Sequence, residues 1–354
     1  FQASILRIFL SILSLVIGLL FLLFLGKDDT FTNIYFLLLI NTVLENISFG
    51  IMIFFEYKLL SKKFVISSNI GILISVVFQI FAIRNNLPIT SVVYSLLIAS
   101  IAKSIILYYQ FFKSNHLKIS KFFDKNLIFN LIKESLPISI SLTSFLIFMR
   151  IDQVMIGNML SLNEVGVYSL AVQMTQVMTL IIKPIQVSFF PNMVKEFFIN
   201  KKKYYQKFIL ITSLSTYLFI FLSVVALNLV PIIFGKFIAS QYNESLYIFQ
   251  FLLIGTFFLY NSILTSNHVV IIKQTKIIMY ISIIAAFLNI GLNYLLIPPF
   301  FINGAVISTI ISQIFASLIL NLLFKKSKKL FYLQIKALNP IYLIKAIKLK
   351  VKSL

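Results

Sequence analysis

The chain has 354 residues, of which 60% are hydrophobic and only 12% are charged. Soluble domains carry about 25% charged residues, so this composition indicates a protein that crosses a membrane several times. The sequence has no cysteine and only two histidines, which excludes disulfides and cysteine ligands and argues against a histidine metal site. Despite a net charge of +21, we expect no nucleic-acid partner, because the basic residues stand in short clusters between apolar runs. We also expect no metal and no cofactor.

Ten apolar segments reach the length of about 20 residues that a helix needs to cross the hydrocarbon core of a membrane. We therefore predict an all-α fold, a polytopic bundle of transmembrane helices. The ten predicted spans are Ser4–Leu25, Ile34–Tyr57, Phe64–Ile83, Ile89–Phe112, Ser135–Asn158, Val165–Phe190, Phe208–Val230, Leu246–Asn267, Lys276–Ile297 and Asn303–Phe324.

The connections between these spans alternate between lysine-rich and lysine-poor. The lysine-rich set, together with Arg7 and the C-terminal tail, holds 25 of the 31 basic residues. By the positive-inside rule, the lysine-rich loops and the C-terminus are cytoplasmic.

The longest internal connection, residues 113–133, separates four predicted spans from six. It interleaves lysines with Phe and Leu, so it is either an amphipathic segment on anionic lipid headgroups or a solvated linker. We predict an incomplete N-terminal bundle at 1–112, a cytoplasmic loop at 113–133, a C-terminal bundle at 134–324 and a basic tail at 325–354. The tail is too charged to span, and we expect an interfacial helix broken at Pro340.

Four ionisable residues lie well inside predicted spans: Glu45, Lys103, Arg150 and Lys183. A charge at mid-bilayer costs roughly 2.5–3.5 kcal/mol even on a lenient scale, so such residues normally face a bundle interior or a water-filled cavity. One interpretation is a cavity whose cations, Arg150, Lys183 and Lys103, bind an anionic, phosphate-bearing substrate. The other is structural: Glu45 pairs with Lys103, and Arg150 snorkels or satisfies backbone carbonyls.

Polar residues share helix faces with these charges and are candidates for lining the cavity or for ion coupling. The candidates are Glu45, Asn41, Gln153, Gln173 and Gln176. Asp152 lies about 200° around the helix from Arg150, so the two cannot share a face. We expect Asp152 to orient the outer end of its helix or to meet a neighbouring helix. Asn289 and Asn293 also share a face, a spacing more typical of hydrogen bonds between helices than of substrate contacts.

The stretch LPISISLTSFLIFMRIDQVMIGNMLSLNEVGVYSLAVQM (Leu136–Met174) resembles the central segment of the Wzx-type flippases of O-antigen and capsular polysaccharide. The matching residues are Arg150, Ile151, Asp152 and Gln153, followed by Val165, Gly166, Tyr168 and Ala171. Phe189–Pro191, Ile232–Ser245 and Leu288–Thr309 resemble further elements of that family. The resemblance therefore covers essentially the whole chain.

This resemblance implies two pseudo-symmetric bundles of six helices around a central cavity, within the multidrug, oligosaccharidyl-lipid and polysaccharide exporter superfamily. Aligning residues 113–133 with the loop between the bundles leaves ten of twelve spans, so we expect two further spans to precede Phe1. In the family, cations of the lumen are proposed to meet a diphosphate or acidic sugars. Arg150 matches a family position by its motif, whereas Lys103 and Lys183 follow only from the predicted topology.

The expected function is that of a flippase, not an enzyme, which moves an undecaprenyl-diphosphate-linked oligosaccharide across the bacterial inner membrane by alternating access. The expected partners are this lipid-linked oligosaccharide, anionic membrane lipids and a polysaccharide polymerase with its chain-length machinery.

Two alternatives stay open at this point. A cation-coupled multidrug antiporter of the same superfamily should bury more acid than base, which is the reverse of the pattern here. A membrane polysaccharide polymerase or ligase needs a sizeable outer loop with paired catalytic groups. The longest outer loop, Pro231–Ser245, offers only Lys236 and Glu244.

Overall fold

A computed structural model describes residues 2–25, 29–58, 60–113, 125–180, 182–342 and 344. The regular structure of these residues is helical and contains no strand, as expected for apolar runs that must satisfy their own backbone hydrogen bonds in lipid. The helices are α1 (Gln2–Leu25), α2 (Asp29–Tyr57), α3 (Ser61–Arg84), α4 (Thr90–Lys113), α5 (Lys125–Met159), α6 (Leu162–Leu180), α7 (Ile182–Ile199), α8 (Lys201–Phe237), α9 (Asn243–Ile271), α10 (Thr275–Phe300), α11 (Ile302–Ile314), α12 (Leu320–Leu323) and α13 (Lys328–Leu338). A 3₁₀ turn (Ser240–Tyr242) precedes α9, and a π-helical segment (Phe315–Ile319) joins α11 to α12.

Eight helices of the described structure are long and apolar enough to cross a membrane, so the protein is a multi-span membrane protein. They carry eight of the ten predicted spans, all but the first and the sixth. For the first span, α1 supplies the shorter apolar stretch Arg7–Leu22. The sixth predicted span, Val165–Phe190, overlaps α6 and α7, which lie on either side of residue 181, a position outside the described residues. Three charges, Lys183, Lys195 and Glu196, lie within the 18 residues of α7 and lower its apolar character. The count of ten spans therefore stays a prediction.

Two compact units, Phe1–Ile132 and Lys133–Leu354, divide the chain. The boundary falls within α5, because this helix begins at Lys125 and runs through the last part of the predicted loop. Residues 114–124 of that loop lie outside the described residues. The predicted four-part division of the chain stays a prediction.

Small residues bring α3 and α4 close together in the first unit. Ser67, Gly71 and Ser75 recur every four residues on α3 and are buried. A Cβ atom at Gly71 would lie 2.7 Å from the carbonyl oxygen of Ala99, so a larger residue does not fit there. Ser75 Oγ donates a hydrogen bond to Ser95 Oγ over 3.2 Å, which links the two helices.

A tight turn connects α10 to α11 in the second unit and holds the two helices close together. Phe301 has a φ of 52° at this turn. A Cβ atom added to Gly304 would lie 2.1 Å from the carbonyl oxygen of Leu296, so the two helices approach as closely as their backbones allow. The turn thereby sets the position of Thr309, which lies further along α11 and reaches α5.

The C-terminal helix α13 packs along α8 through its buried residues Leu330, Leu333 and Ala337. The hydroxyl of Ser213 donates to the Ala337 carbonyl oxygen over 2.9 Å, and that of Tyr217 to Leu338 over 2.8 Å. These bonds satisfy carbonyls that a helix end otherwise leaves without partners. The helix ends immediately before Asn339 and Pro340.

Candidate functional site

A cleft of about 580 Å³, lined by both apolar and polar side chains, opens within the second unit, between α5, α6, α9 and α11. Its size lies within the roughly 300–1,000 Å³ of pockets that bind small molecules. Phe145, Phe148 and Met149 of α5 form an apolar part of the wall. α6 and α11 contribute carboxamides and hydroxyls, and Asp152 stands among them.

Asp152 is 4% exposed and is held by neutral donors from three other helices. Tyr168 Oη of α6 donates to Asp152 Oδ2 over 3.0 Å, and Thr309 Oγ1 of α11 lies 2.7 Å from the same oxygen. Asn293 Nδ2 of α10 donates to Asp152 Oδ1 over 2.6 Å and lies 3.1 Å from Asn289 Oδ1. The carboxylate therefore ties α5 to α6, α10 and α11.

No lysine, arginine or histidine of the described side chains forms an ion pair with Asp152. Bringing an ionised carboxylate into apolar surroundings is costly unless its charge is compensated. The three neutral donors share the charge but do not cancel it. Full compensation of this charge requires a proton on the carboxylate or a cation beside it.

The hydroxyl groups around Asp152 have alternative acceptors. Thr309 Oγ1 lies 2.7 Å from Asp152 Oδ2 and 2.8 Å from the Ala305 carbonyl oxygen, and Tyr168 Oη lies 2.8 Å from Thr309 Oγ1. Because a hydroxyl donates one proton, Thr309 can turn from the carboxylate to Ala305. Asn293 Oδ1 is buried without a hydrogen-bond partner. The network can therefore rearrange when the charge of Asp152 changes.

Two of the predicted site residues, Gln173 and Gln176, line this cleft. Both come from α6, on which Tyr168 also lies. Lys183 was predicted on the same face, but its side chain lies outside the described residues. Gln173 and Gln176, which belong to the polar face predicted for the sixth span, therefore line the cleft.

Arg150 and Gln153 of α5 do not belong to the cleft wall. The Arg150 side chain is exposed, and its Nη1 donates to Gln153 Oε1 over 3.4 Å. Asp152 lies on another face of α5 and meets α6, α10 and α11 instead. This arrangement follows from their separation of about 200° around the helix.

The remaining predicted residues, Asn41, Glu45 and Lys103, come together in the first unit. Lys103 Nζ forms an ion pair with Glu45 Oε2. Ser100 Oγ lies 2.6 Å from Asn41 Oδ1 and 2.8 Å from Glu45 Oε1. This is the structural arrangement that the sequence left open as an alternative. An ion-paired lysine brings little uncompensated charge to a substrate, so the role of Lys103 as a substrate-binding cation stays a prediction.

The sequence indicated the polar residues of α10 but not the centre of this site. Asp152 was expected to meet a neighbouring helix, which it does, but it was not among the predicted site residues. The available signal was an acid inside an apolar span together with Asn289 and Asn293 one turn apart. The sequence does not show which distant helices contact each other, and Thr309 lies 157 residues from Asp152 along the chain.

Solved structures that resemble this chain include transporters of the MOP superfamily. An inward-facing multidrug resistance MATE family transporter of the MOP superfamily aligns with a TM-score of 0.78 at 15% identity, covering 94% of this chain and 80% of that one. An outward-facing MATE family transporter aligns with a TM-score of 0.66 at 15% identity, covering 94% and 79%. A MOP superfamily transporter from Pyrococcus furiosus, described as having a binding pocket of reverse polarity, aligns with a TM-score of 0.64 at 15% identity, covering 94% and 80%.

At this identity the likeness establishes the fold alone, which is MATE-like. A comparison with curated proteins gives no match. The profile of the polysaccharide biosynthesis protein family matches residues 1–197, more than half of the chain. The match includes the stretch Leu136–Met174, whose resemblance to polysaccharide flippases it confirms. The chain belongs to the polysaccharide biosynthesis protein family.

Proposed function

We propose that this protein is a flippase for a lipid-linked oligosaccharide, the undecaprenyl-diphosphate-linked repeat unit of an O-antigen or a capsule. It moves this substrate from the cytoplasmic to the outer leaflet of the bacterial inner membrane by alternating access. The observation that carries the proposal is the polysaccharide biosynthesis match over residues 1–197, which includes α5 and α6 of the cleft. The MATE-like fold supports transport as the kind of activity.

The proposal assigns ion coupling to Asp152. Its burial, its neutral partners and its place on the cleft wall support the uptake of a proton or a small cation during each transport cycle. Because Asp152 bonds to α6, α10 and α11, a change in its charge alters the contacts among four helices at once. That is what coupling between an ion and a helix rearrangement requires.

In this proposal, Arg150 and Lys183 bind the diphosphate of the substrate. The exposed guanidinium of Arg150 is available to an anion, since its one described hydrogen bond is a 3.4 Å contact with Gln153. The lysine-rich loops and the tail face the cytoplasm and its anionic lipids. A polysaccharide polymerase and its chain-length machinery receive the translocated unit.

Deletion of the gene and complementation test this function. Surface glycan should disappear on deletion, while lipid-linked repeat units accumulate in the cytoplasmic leaflet, and the intact gene should restore export. Arg150→Ala should insert into the membrane but fail to restore surface glycan, whereas Arg84→Ala at the exposed end of α3 should restore it. Normal surface glycan in the deletion strain would contradict the proposal.

A cation-coupled multidrug antiporter is the second candidate, and one observation favours it. Among the described residues that line the cleft, the acid Asp152 has no basic counterpart. An organic cation suits such a cleft better than a bare anion does. Efflux of ethidium from cells that express the protein separates the two candidates, because the flippase should leave the ethidium content unchanged and the antiporter should lower it.

A further inference from the structure

Three carboxamides provide much of the hydrogen-bonding capacity of the cleft. Gln173 and Gln176 project from α6 and Gln313 from α11. A carboxamide both donates and accepts hydrogen bonds, as does a sugar hydroxyl, so the two chemistries match without any charge. Within the described part of the chain, the side chains of Gln173 and Gln176 form no hydrogen bond, which leaves both amides available to a ligand.

Gln313 is the most informative of the three. Its side chain is only 6% exposed, and its Oε1 has no hydrogen-bond partner among the described residues. A buried acceptor without a partner costs about 1–3 kcal/mol, so a turn of this amide from α9 towards the cleft, where a ligand donor can bond to it, removes that cost. Gly255 of α9 leaves the space for this amide, since a Cβ atom there would lie 2.3 Å from Gln313 Oε1.

Aromatic side chains complete the wall on the α5 side. Phe148 is buried and Phe145 is half-buried, with ring centroids 6.4 Å apart. Sugar rings carry their hydroxyls around the edge and expose C–H groups on their faces. A pocket with aromatic surface and a few placed amides therefore suits a sugar, whose faces pack on the rings while its hydroxyls bond to the amides.

The charge of the cleft disfavours an anion. Asp152 is the one acid on its described wall, and none of the described lining residues is a lysine, an arginine or a histidine. While Asp152 is ionised, a phosphate or a uronic acid would meet a like charge in apolar surroundings, where repulsion is stronger than in water. An uncharged sugar has no such cost.

We propose that this cleft is a subsite for uncharged sugar residues of the transported glycan, bound by Gln173, Gln176 and Gln313 against Phe145 and Phe148. The inference rests on the proposed flippase function. It assigns the second unit to the neutral sugars and leaves the diphosphate outside the cleft. The protein then selects glycans whose first residues are neutral over glycans that carry uronic acids there.

A tryptophan reporter tests this inference, because the chain contains no tryptophan. Phe145→Trp keeps an aromatic face on the wall and gives one fluorophore in the cleft. The protein in lipid nanodiscs is titrated with an array of neutral mono- and disaccharides, with a uronic-acid disaccharide and with inorganic pyrophosphate. At least one neutral sugar should change the fluorescence saturably, while the uronic acid and pyrophosphate should not.

Glutamine variants in the same background locate the binding. Gln313→Leu and Gln176→Leu should each weaken the neutral sugar about tenfold, the effect of losing one good hydrogen bond. Gln250→Leu, an exposed position on α9 away from the cleft, is the matched control and should bind like the parent. Gln313→Leu should also keep its thermal midpoint, because it removes an acceptor that has no partner in the protein.

Three results would overturn the inference: no response to any sugar of the array, binding of pyrophosphate or the uronic acid as tight as that of the best neutral sugar, or unchanged binding in both variants. Vesicle transport of the lipid-linked glycan is measured in parallel. Transport without any sugar response defeats only this subsite. Sugar binding without transport defeats the flippase proposal, and the cleft is then a sugar site whose ligand is not a transported glycan.

Discussion

Glu45 in the first unit and Asp152 in the second are both acids inside apolar helices, yet their surroundings differ. Glu45 pairs with Lys103, so opposite charges cancel within the helix packing. Asp152 is bonded only to neutral donors of the described structure, Tyr168, Asn293 and Thr309, and it lines a cleft. An acidic residue in a spanning helix therefore does not by itself indicate a functional site. Whether it is structural or functional depends on the groups that bond to it.

The largest difference between the two acids should appear in transport. Asp152→Asn keeps the size and most hydrogen bonds of the side chain but removes the charge that an ion must neutralise. We expect it to insert normally and to export no surface glycan above the level of the deletion strain. Glu45→Gln should retain most export, since its carboxylate belongs to a local ion pair. Equal export by the two variants would remove the distinction drawn between them.

The surroundings of Asp152 can be disturbed without touching Glu45. Gly304→Ala places a Cβ atom 2.1 Å from the Leu296 carbonyl oxygen, so α11 must shift and carry Thr309 with it. We expect a loss of about 1–3 kcal/mol of stability, typical of overpacking, and reduced export. Thermal unfolding in detergent measures the first effect.

Gly291→Ala is the matched control for this substitution, because nothing lies within 4 Å of the Cβ position at Gly291. It should be neutral or slightly stabilising, since alanine favours a helix over glycine. A Gly304→Ala protein as stable as Gly291→Ala would show that the turn between α10 and α11 does not constrain the site.

Breaking the ion pair between Glu45 and Lys103 in the first unit should lower the thermal stability of the protein rather than its transport activity. Glu45→Gln leaves Lys103, whose side chain is 13% exposed, without its opposite charge. We expect a loss of about 1–3 kcal/mol, the cost of an unsatisfied polar group. The double variant Glu45→Gln/Lys103→Met should recover most of the thermal midpoint, because removing both partners is nearly neutral. No recovery would mean that the pair is not what stabilises this unit.

The smallest effect concerns an acid outside the candidate spans. The hydrogen bond from Lys207, 2.6 Å away, lowers the pKa of the Glu196 carboxyl on α7. A lowered pKa contributes stability above the ordinary pKa of a glutamate, and this contribution is lost as the pH falls through the folded value. Glu196→Gln should therefore lower the thermal midpoint slightly at neutral pH and not in strong acid. Glu244→Gln at the exposed start of α9 is the control, and a pH-independent difference would contradict this account.

The sequence predicted much of the fold because the apolar runs of a membrane protein coincide with its helices. It also separated Arg150 from Asp152 correctly, since the angle between two residues of one helix needs no tertiary information. The pairing of Glu45 with Lys103 was foreseen as an alternative to a cationic cavity. Both inferences depended on charges that stand out within an apolar sequence.

What the sequence did not predict depends on how distant helices face one another. Asn293 and Thr309 lie 141 and 157 residues from Asp152, and no periodicity within one helix reports such a contact. The unpartnered amide of Gln313 depends equally on the space beside Gly255.

The most direct test of ion coupling through Asp152 is the rate of lipid-linked oligosaccharide translocation in vesicles under an imposed proton or sodium gradient. The protein should translocate faster with one of these gradients than without it. Asp152→Asn should lose this acceleration, while Glu45→Gln should keep it. An Asp152→Asn protein whose rate responds to the gradients as the parent does would contradict the central role given to this carboxylate.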